Sequence, residues 1–212
     1  MKTFLLSGVA ALALITFSSM KAVPSLKGAS PVISEWVSLF DGKSLNNWKI
    51  SEHPETFSVK DGSIVVFGER AHLFYEGPVG NHNFKNFEFK ASVMTTPGSN
   101  SGIFVHTEFQ EGGWPSKGYE IQVNNTHTDW RKTGSVYALQ DVKIAPAKDD
   151  EWFTEHIIVN GDRVIVKVND KVINDYTEKD PAKIRTGTVA LQGHDPKSKV
   201  YYKDIMVKIL PD

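Results

Sequence analysis

The stretch FTEHIIVNGDRVIVKVNDKVINDY, Phe153 to Tyr176, decides the fold. Asn160-Gly161 is a strong signal for a type I′ hairpin, whose two central residues both need positive φ. Asn169-Asp170 is a weaker signal of the same kind. The segment therefore reads as three antiparallel strands in a meander. Working outward, NFEFKASVMTT (86–96) sets Phe87, Phe89, Ala91 and Val93 on one face. SGIFVHTEF (101–109) sets Ile103 and Val105 opposite Phe104, His106 and Glu108. GYEIQVNN (118–125) alternates Tyr119, Ile121 and Val123 with Glu120, Gln122 and Asn124. GTVALQGHD (187–195) and VYYKDIMVKIL (200–210) are two more strands; the last points Ile205, Val207 and Ile209 inward and closes a sheet.

Helical periodicity is almost absent after residue 35. Short strands at this spacing imply an all-β, antiparallel two-sheet sandwich with one concave polar face. Apolar residues bury between the sheets and their neighbours point into the groove. Register puts His106, Glu108, Glu120, Gln122, Asn124, Ser135, Tyr137, Gln192 and His194 on that face. Gly-rich loops occur at 96–102 and 110–118. Trp114 in the second is a candidate sugar platform. Trp48 and Trp152 read as packed residues.

The N-terminus, MKTFLLSGVAALALITFSSMKA (1–22), has one Lys before an apolar run and small residues after it. It reads as a secretory signal peptide, too short and wrongly flanked for a spanning helix. Residues 23–34 form a flexible lead and 35–212 the folded domain. The chain has no Cys, which excludes disulfides and a lipid anchor on Cys. Export without Cys suggests a periplasmic or secreted bacterial protein, free of the membrane once the signal is removed. With 24 basic and 25 acidic side chains there is no surplus to hold nucleic acid.

The chemistry-bearing candidates fall on the polar face. Glu120 is a general acid or base tuned by desolvation. His106 and His194 are proton-transfer groups, and Tyr137 is a further acid. Gln122, Asn124, Gln192, Arg131 and Trp114 are substrate-binding candidates, although for Arg131 a salt bridge with Asp129 or another acid is the favoured reading. Asp41 and Asp195 sit beside turns as turn-formers. Two His and a carboxylate would also make a first shell for a divalent metal, without a local HExxH spacing to support it. An ordinary glycosidase needs two carboxylates flanking the scissile bond, and only one stands on the 118–125 strand.

LFDGKSLNNW (39–48), SNSGIFVH (99–106), GYEIQV (118–123), KTGSVYAL (132–139), GTVALQGHD and YYKDIMVKIL occur in this order in the 3-keto-disaccharide hydrolase domain family, which the chain resembles over about residues 35 to 210. The resemblance implies a concanavalin A-like jelly roll that acts on glycosides oxidised to a ketone at C3. It carries over Glu120 and Gln122 as an E-x-Q strand, Tyr137 in a T-G-x-x-Y segment, and Gln192 and His194 in an L-Q-x-H strand. His106 departs from the Arg that other members carry at that position. For such a substrate, C2 deprotonation and loss of the C1 group require one base, an acid for the leaving group and a hold on the enolate. His106 or His194 is then the base, Glu120 or Tyr137 the acid, and a His, Arg131 or a divalent metal the hold. Water adding afterwards, where that step follows, gives net hydrolysis. A non-catalytic carbohydrate-binding module and a conventional β-glycanase are the competing readings; the partner in each is a carbohydrate.

Overall fold

The computed structural model describes residues 35–212. The signal-peptide and lead readings, residues 1–34, lie outside the described residues. Two antiparallel sheets face each other. The larger has eight strands: β11 (Lys171–Thr177), β10 (Arg163–Val168), β9 (Phe153–Asn160), β6 (Phe87–Thr95), β13 (Lys199–Ile209), β4 (Ser63–Phe67) and β3 (Phe57–Lys60) in that order, with β1 (Val37–Ser38) also on β13. The smaller has five, ordered β2 (Trp48–Ile50), β5 (Ala71–Tyr75), β12 (Thr188–Gly193), β7 (Ser101–Thr107) and β8 (Tyr119–Val123).

The core lies between the sheets. On β6 the expected alternation holds: Phe87, Phe89, Ala91 and Val93 are buried, and the residues between them are half-buried. β5, β7 and β12 are buried at every position. Their inner faces meet the core and their outer faces lie under loops, so binary alternation fades there. Trp48 is core, and its indole N–H donates to the Leu39 carbonyl at 2.9 Å. Trp152 corrects its expectation. It is 40% exposed, with the Lys203 ammonium 4.2 Å from its ring centroid.

The meander is β9-β10-β11. Its two turns exchange roles, however. Asn160 pairs with Arg163, so the loop is Gly161-Asp162, and only Gly161 has positive φ, at 59°. Asn169 and Asp170 both have positive φ, 47° and 63°, the signs a type I′ turn requires. β13 likewise differs from a closing strand: it is central, between β6 and β4. Val200 and Tyr202 point inward, then a register shift between Lys203 and Met206 changes parity, and Ile205, Val207 and Ile209 point inward. Asp204, at φ 51°, carries the irregularity.

Candidate functional site

The outer face of the five-stranded sheet carries two rows of side chains that matter. Register aligns Gln192 with His72 on β5, and Gly102 of β7 with Gln122 of β8. The next row aligns Phe74, Ala190, Phe104 and Glu120. Above them a cavity of about 230 Å³ is lined by Asn100, Phe104, Trp114, Pro115, Glu120, Gln122, Tyr137, Gln192 and His194. Five of the candidates read from sequence besides Glu120 thus meet it there: Trp114, Gln122, Tyr137, Gln192 and His194. The volume is below the ~300–1,000 Å³ usual for drug-sized ligands and suits a single sugar ring.

Glu120 lies across β7, where its Oε1 accepts a hydrogen bond from Gln192 Nε2 at 2.8 Å. Gly102 makes this possible. A Cβ there would stand 2.8 Å from Glu120 Oε1 and 3.0 Å from its Cγ. Burial raises the Glu120 carboxyl to about 7, against the lowering effect of the Gln192 bond; Asp129 adds to the rise and Arg131 opposes it. Near neutrality Glu120 is therefore available as a proton donor.

His194 follows the end of β12. Its Nδ1 is 2.8 Å from Asp195 Oδ2. With the carboxylate accepting, Nδ1 carries the proton and Nε2 is left with its lone pair. Burial alone would raise the Asp195 carboxyl, but bonds from His194, Ser198 and the Lys197 N–H outweigh it and hold the group at about 2. Asp195 is thus the turn-former the sequence implied, accepting from Lys197 N and Ser198 N, and also the partner that orients His194. The indole of Trp114 lies 5.4 Å from the His194 ring, and the His127 ring 5.6 Å from it at 64°.

The remaining candidates are placed as follows. Gln122 donates to Asn100 Oδ1 at 3.1 Å, and Tyr137 has its hydroxyl pKa raised by burial. Asn124 is fully buried and organises the following loop: its Nδ2 donates to the carbonyls of Asp129 and Arg131. Arg131 takes the pairing reading. It bridges Asp129 and Asp141, and its guanidinium stands 4.6 Å from the Tyr137 ring centroid, bracing that wall. Ser135 accepts from Val142 N inside the same loop, and Glu108 pairs with Lys117 away from this cavity.

His106 does not join the site, and this corrects the expected groove register. Thr188 aligns with Thr107 but Ala190 with Phe104, so β7 carries one extra residue here. His106 adopts φ 54° in this bulge. The bulge turns its ring to the inner side, 5.7 Å from Phe87 and 6.3 Å from Tyr119, with Nε2 2.8 Å from the Lys85 carbonyl. Gly118 allows the close approach; a Cβ on it would stand 2.2 Å from the Val105 carbonyl oxygen.

Two residues were missed in the sequence. His72 is fully buried beneath Trp114, 5.7 Å ring to ring, and neither ring nitrogen has a hydrogen-bond partner. Burial lowers it to about 4, so it is a neutral imidazole. Its place in AHLFY, all apolar or aromatic, gave no signal. His127 sits in the polar 124–132 loop, and only the fold brings it to His194. Gln122 Oε1 and Gln192 Oε1 are likewise buried without partners, which leaves acceptors on the cavity floor for sugar hydroxyls.

His127, His194 and Asp195 each place one potential ligand atom within 4.8 Å of the others. Hydrogen bonds already engage part of this set. Asp195 Oδ2 already accepts from His194 Nδ1 and Ser198 Oγ, and His127 Nδ1 accepts from Asp129 N at 3.1 Å. Nδ1 of each histidine is thus engaged, and Nε2 is the ring nitrogen each has left to offer.

Residues 35–208 match the family model of the 3-keto-alpha-glucoside-1,2-lyase-like domain. No curated protein sequence matches the chain. A solved structure of a candidate glycosyl hydrolase from Parabacteroides distasonis is 24% identical, with TM-score 0.69, covering 82% of this chain and 94% of that one. The carbohydrate-binding module CBM66 from Bacillus subtilis is 10% identical, with TM-score 0.57 over 76% of this chain and 95% of that one. A Bacillus subtilis protein with a galectin-like fold is 12% identical, TM-score 0.57, covering 77% and 90%. At these identities the structures show a shared fold.

Proposed function

The chain belongs to the 3-keto-alpha-glucoside-1,2-lyase-like domain family, and from that premise we propose that it cleaves 3-keto-glycosides by elimination. A ketone at C3 acidifies the proton on C2. His194 Nε2, its ring held through Nδ1 by Asp195, takes that proton and leaves an enolate across C2, C3 and O3. Electrons return as the C1–O1 bond breaks, and Glu120 gives its proton to the departing O1. The products are an unsaturated 3-keto sugar and the free alcohol, with His194 protonated and Glu120 ionised. Water adding back at C1 makes the net change a hydrolysis.

One observation carries this reading: a carboxyl raised to about 7 and an Asp-oriented imidazole line the same sugar-sized cavity. A carboxyl that keeps its proton near neutrality, beside an imidazole whose Nε2 faces no protein acceptor among the described residues, supplies the acid and the base that elimination needs. The single acid of the 118–125 strand then suffices, because no oxocarbenium ion calls for a second carboxylate. The surrounding amides Gln122 and Gln192 and the indole of Trp114 hold the ring. With residues 1–22 read as a secretory signal, the same proposal puts the activity in the periplasm or outside the cell. Among the described residues no helix is long and apolar enough to cross a membrane.

The likeness to CBM66 favours a second reading, a module that reads hydroxyls without turnover. Incubation with a 3-keto-glucoside of a chromogenic alcohol separates the two. The enzyme releases the alcohol, and deuterium at C2 slows release by a primary isotope effect. Binding without release, with affinity unchanged in His194→Ala, supports the module.

A further inference from the structure

A second, larger cavity opens on the same outer face of the five-stranded sheet. Side chains two apart on a strand share a face. Along β12 that face passes from Gln192, at the candidate site, through Ala190 to Thr188, which lines the second cavity. From β5 the same progression runs His72, Phe74, Glu76. The second cavity measures about 540 Å³, and its walls include Glu76, Asn83, Thr107, Phe109 and Thr188. Between the two lie Phe74, Phe104 and Ala190, with Phe109 packed on them; the Phe74 and Phe109 rings are 5.4 Å apart. Phe104 belongs to the first cavity and Phe109 to the second. One apolar saddle therefore joins the two hollows.

The lining identifies a chemistry. Thr107 lines this cavity, is 1% exposed, and its hydroxyl has no protein hydrogen-bond partner, which leaves it open to a ligand. Amides, hydroxyls and the Glu76 carboxylate offer mixed donors and acceptors beside an aromatic ring. Lys117 is paired with Glu108, and so forms no cationic patch for phosphate or uronate groups. From Gln192 to Thr188 the strand advances about 13 Å, on the order of two sugar units.

We propose that this cavity is a distal saccharide subsite and that the substrate is a neutral oligosaccharide chain, its reacting ring against Glu120 and His194 and its far end against Asn83, Thr107 and Glu76. The reacting end rests on the function proposed above; the distal end stands on the cavity itself.

The test compares 3-keto-glucosides of a small aromatic alcohol with 3-keto forms of linear α- and β-linked glucose tetrasaccharides. Thr107→Val and Asn83→Ala are expected to raise KM for a tetrasaccharide by about fivefold, the worth of one hydrogen bond, and to leave kcat/KM for the aromatic glucoside within about twofold. Asn83 is exposed, so its variant keeps the test open if Thr107→Val does not fold. A calorimetric arm uses the unoxidised tetrasaccharides. It expects binding that weakens in both variants and persists in His194→Ala, and it judges the subsite even if no 3-keto sugar is turned over. Equal effects on short and long substrates, or failure of all the tetrasaccharides to bind, overturns the proposal.

Discussion

Glu120 shows how far a single residue's chemistry depends on what surrounds it. The carboxyl is ordinary in sequence, and burial moves it to about 7. If its acid form protonates the leaving group, turnover of a 3-keto-glucoside falls as pH rises through about 7, and Glu120→Gln lowers kcat by about 100-fold or more. A pH–rate profile checks both. The same shift affects stability. The folded pKa stands above the unfolded value, so its stabilising contribution is complete below about 4.5 and is lost as pH rises through about 7. Asp195 touches only His194 in the proposed reaction, and is a positioning residue. Asp195→Asn is expected to reduce kcat at least about tenfold with little change in KM, because Nδ1 loses its carboxylate partner and Nε2 its orientation. An equal rise in KM would mean that Asp195 serves binding instead.

At the scale of elements, the bulge in β7 decides which histidine takes part. His106 turns inward to Lys85 and Phe87, so His106→Ala is expected to cost about 1–3 kcal/mol of stability while kcat stays within about threefold. Thermal unfolding with parallel kinetics tells these apart; a large loss of kcat at unchanged stability would return His106 to the chemistry. The Asn169-Asp170 turn makes an independent case. Asp170 sits at φ 63°, where glycine is unstrained, so Asp170→Gly should raise stability by up to about 1 kcal/mol, measured by urea unfolding. Here the alternation in Phe153 to Tyr176 was enough to read three strands. The turn types were not legible, because cross-strand pairing of Asn160 with Arg163, and not the dipeptide alone, selects which residues become the loop.

Across the whole molecule, one buried group sets a global pH response. Glu155 on β9 is fully buried, neither oxygen has a hydrogen-bond partner, and burial holds its pKa well above the usual carboxylate range. It is folded as the neutral acid. Its contribution is complete below about 4.5, the ordinary value, and declines as pH rises toward the raised folded value. Glu155→Gln is expected to flatten the fall in stability above pH 5, followed by denaturant midpoints across pH. A chelator is expected to leave turnover unchanged, since the proposed elimination moves its protons through Glu120 and His194 alone. Loss of activity that zinc or manganese restores would reverse that.

The sequence by itself determined the period-two pattern, the two-sheet sandwich, and the face of β8 that presents Glu120 and Gln122, because alternation and turn chemistry act between near neighbours. It also marked Trp114, Tyr137, Gln192 and His194, all at the cavity. Tertiary structure alone decided that His106 leaves the groove, that Asn124 and Arg131 brace a loop, that Asp195 orients His194, and that His72 lies beneath Trp114. The physical reason is that a bulge or a ring-to-carboxylate contact is set by register and packing between distant strands. Desolvation of Glu120 arises in the same way, from neighbours that local periodicity does not encode.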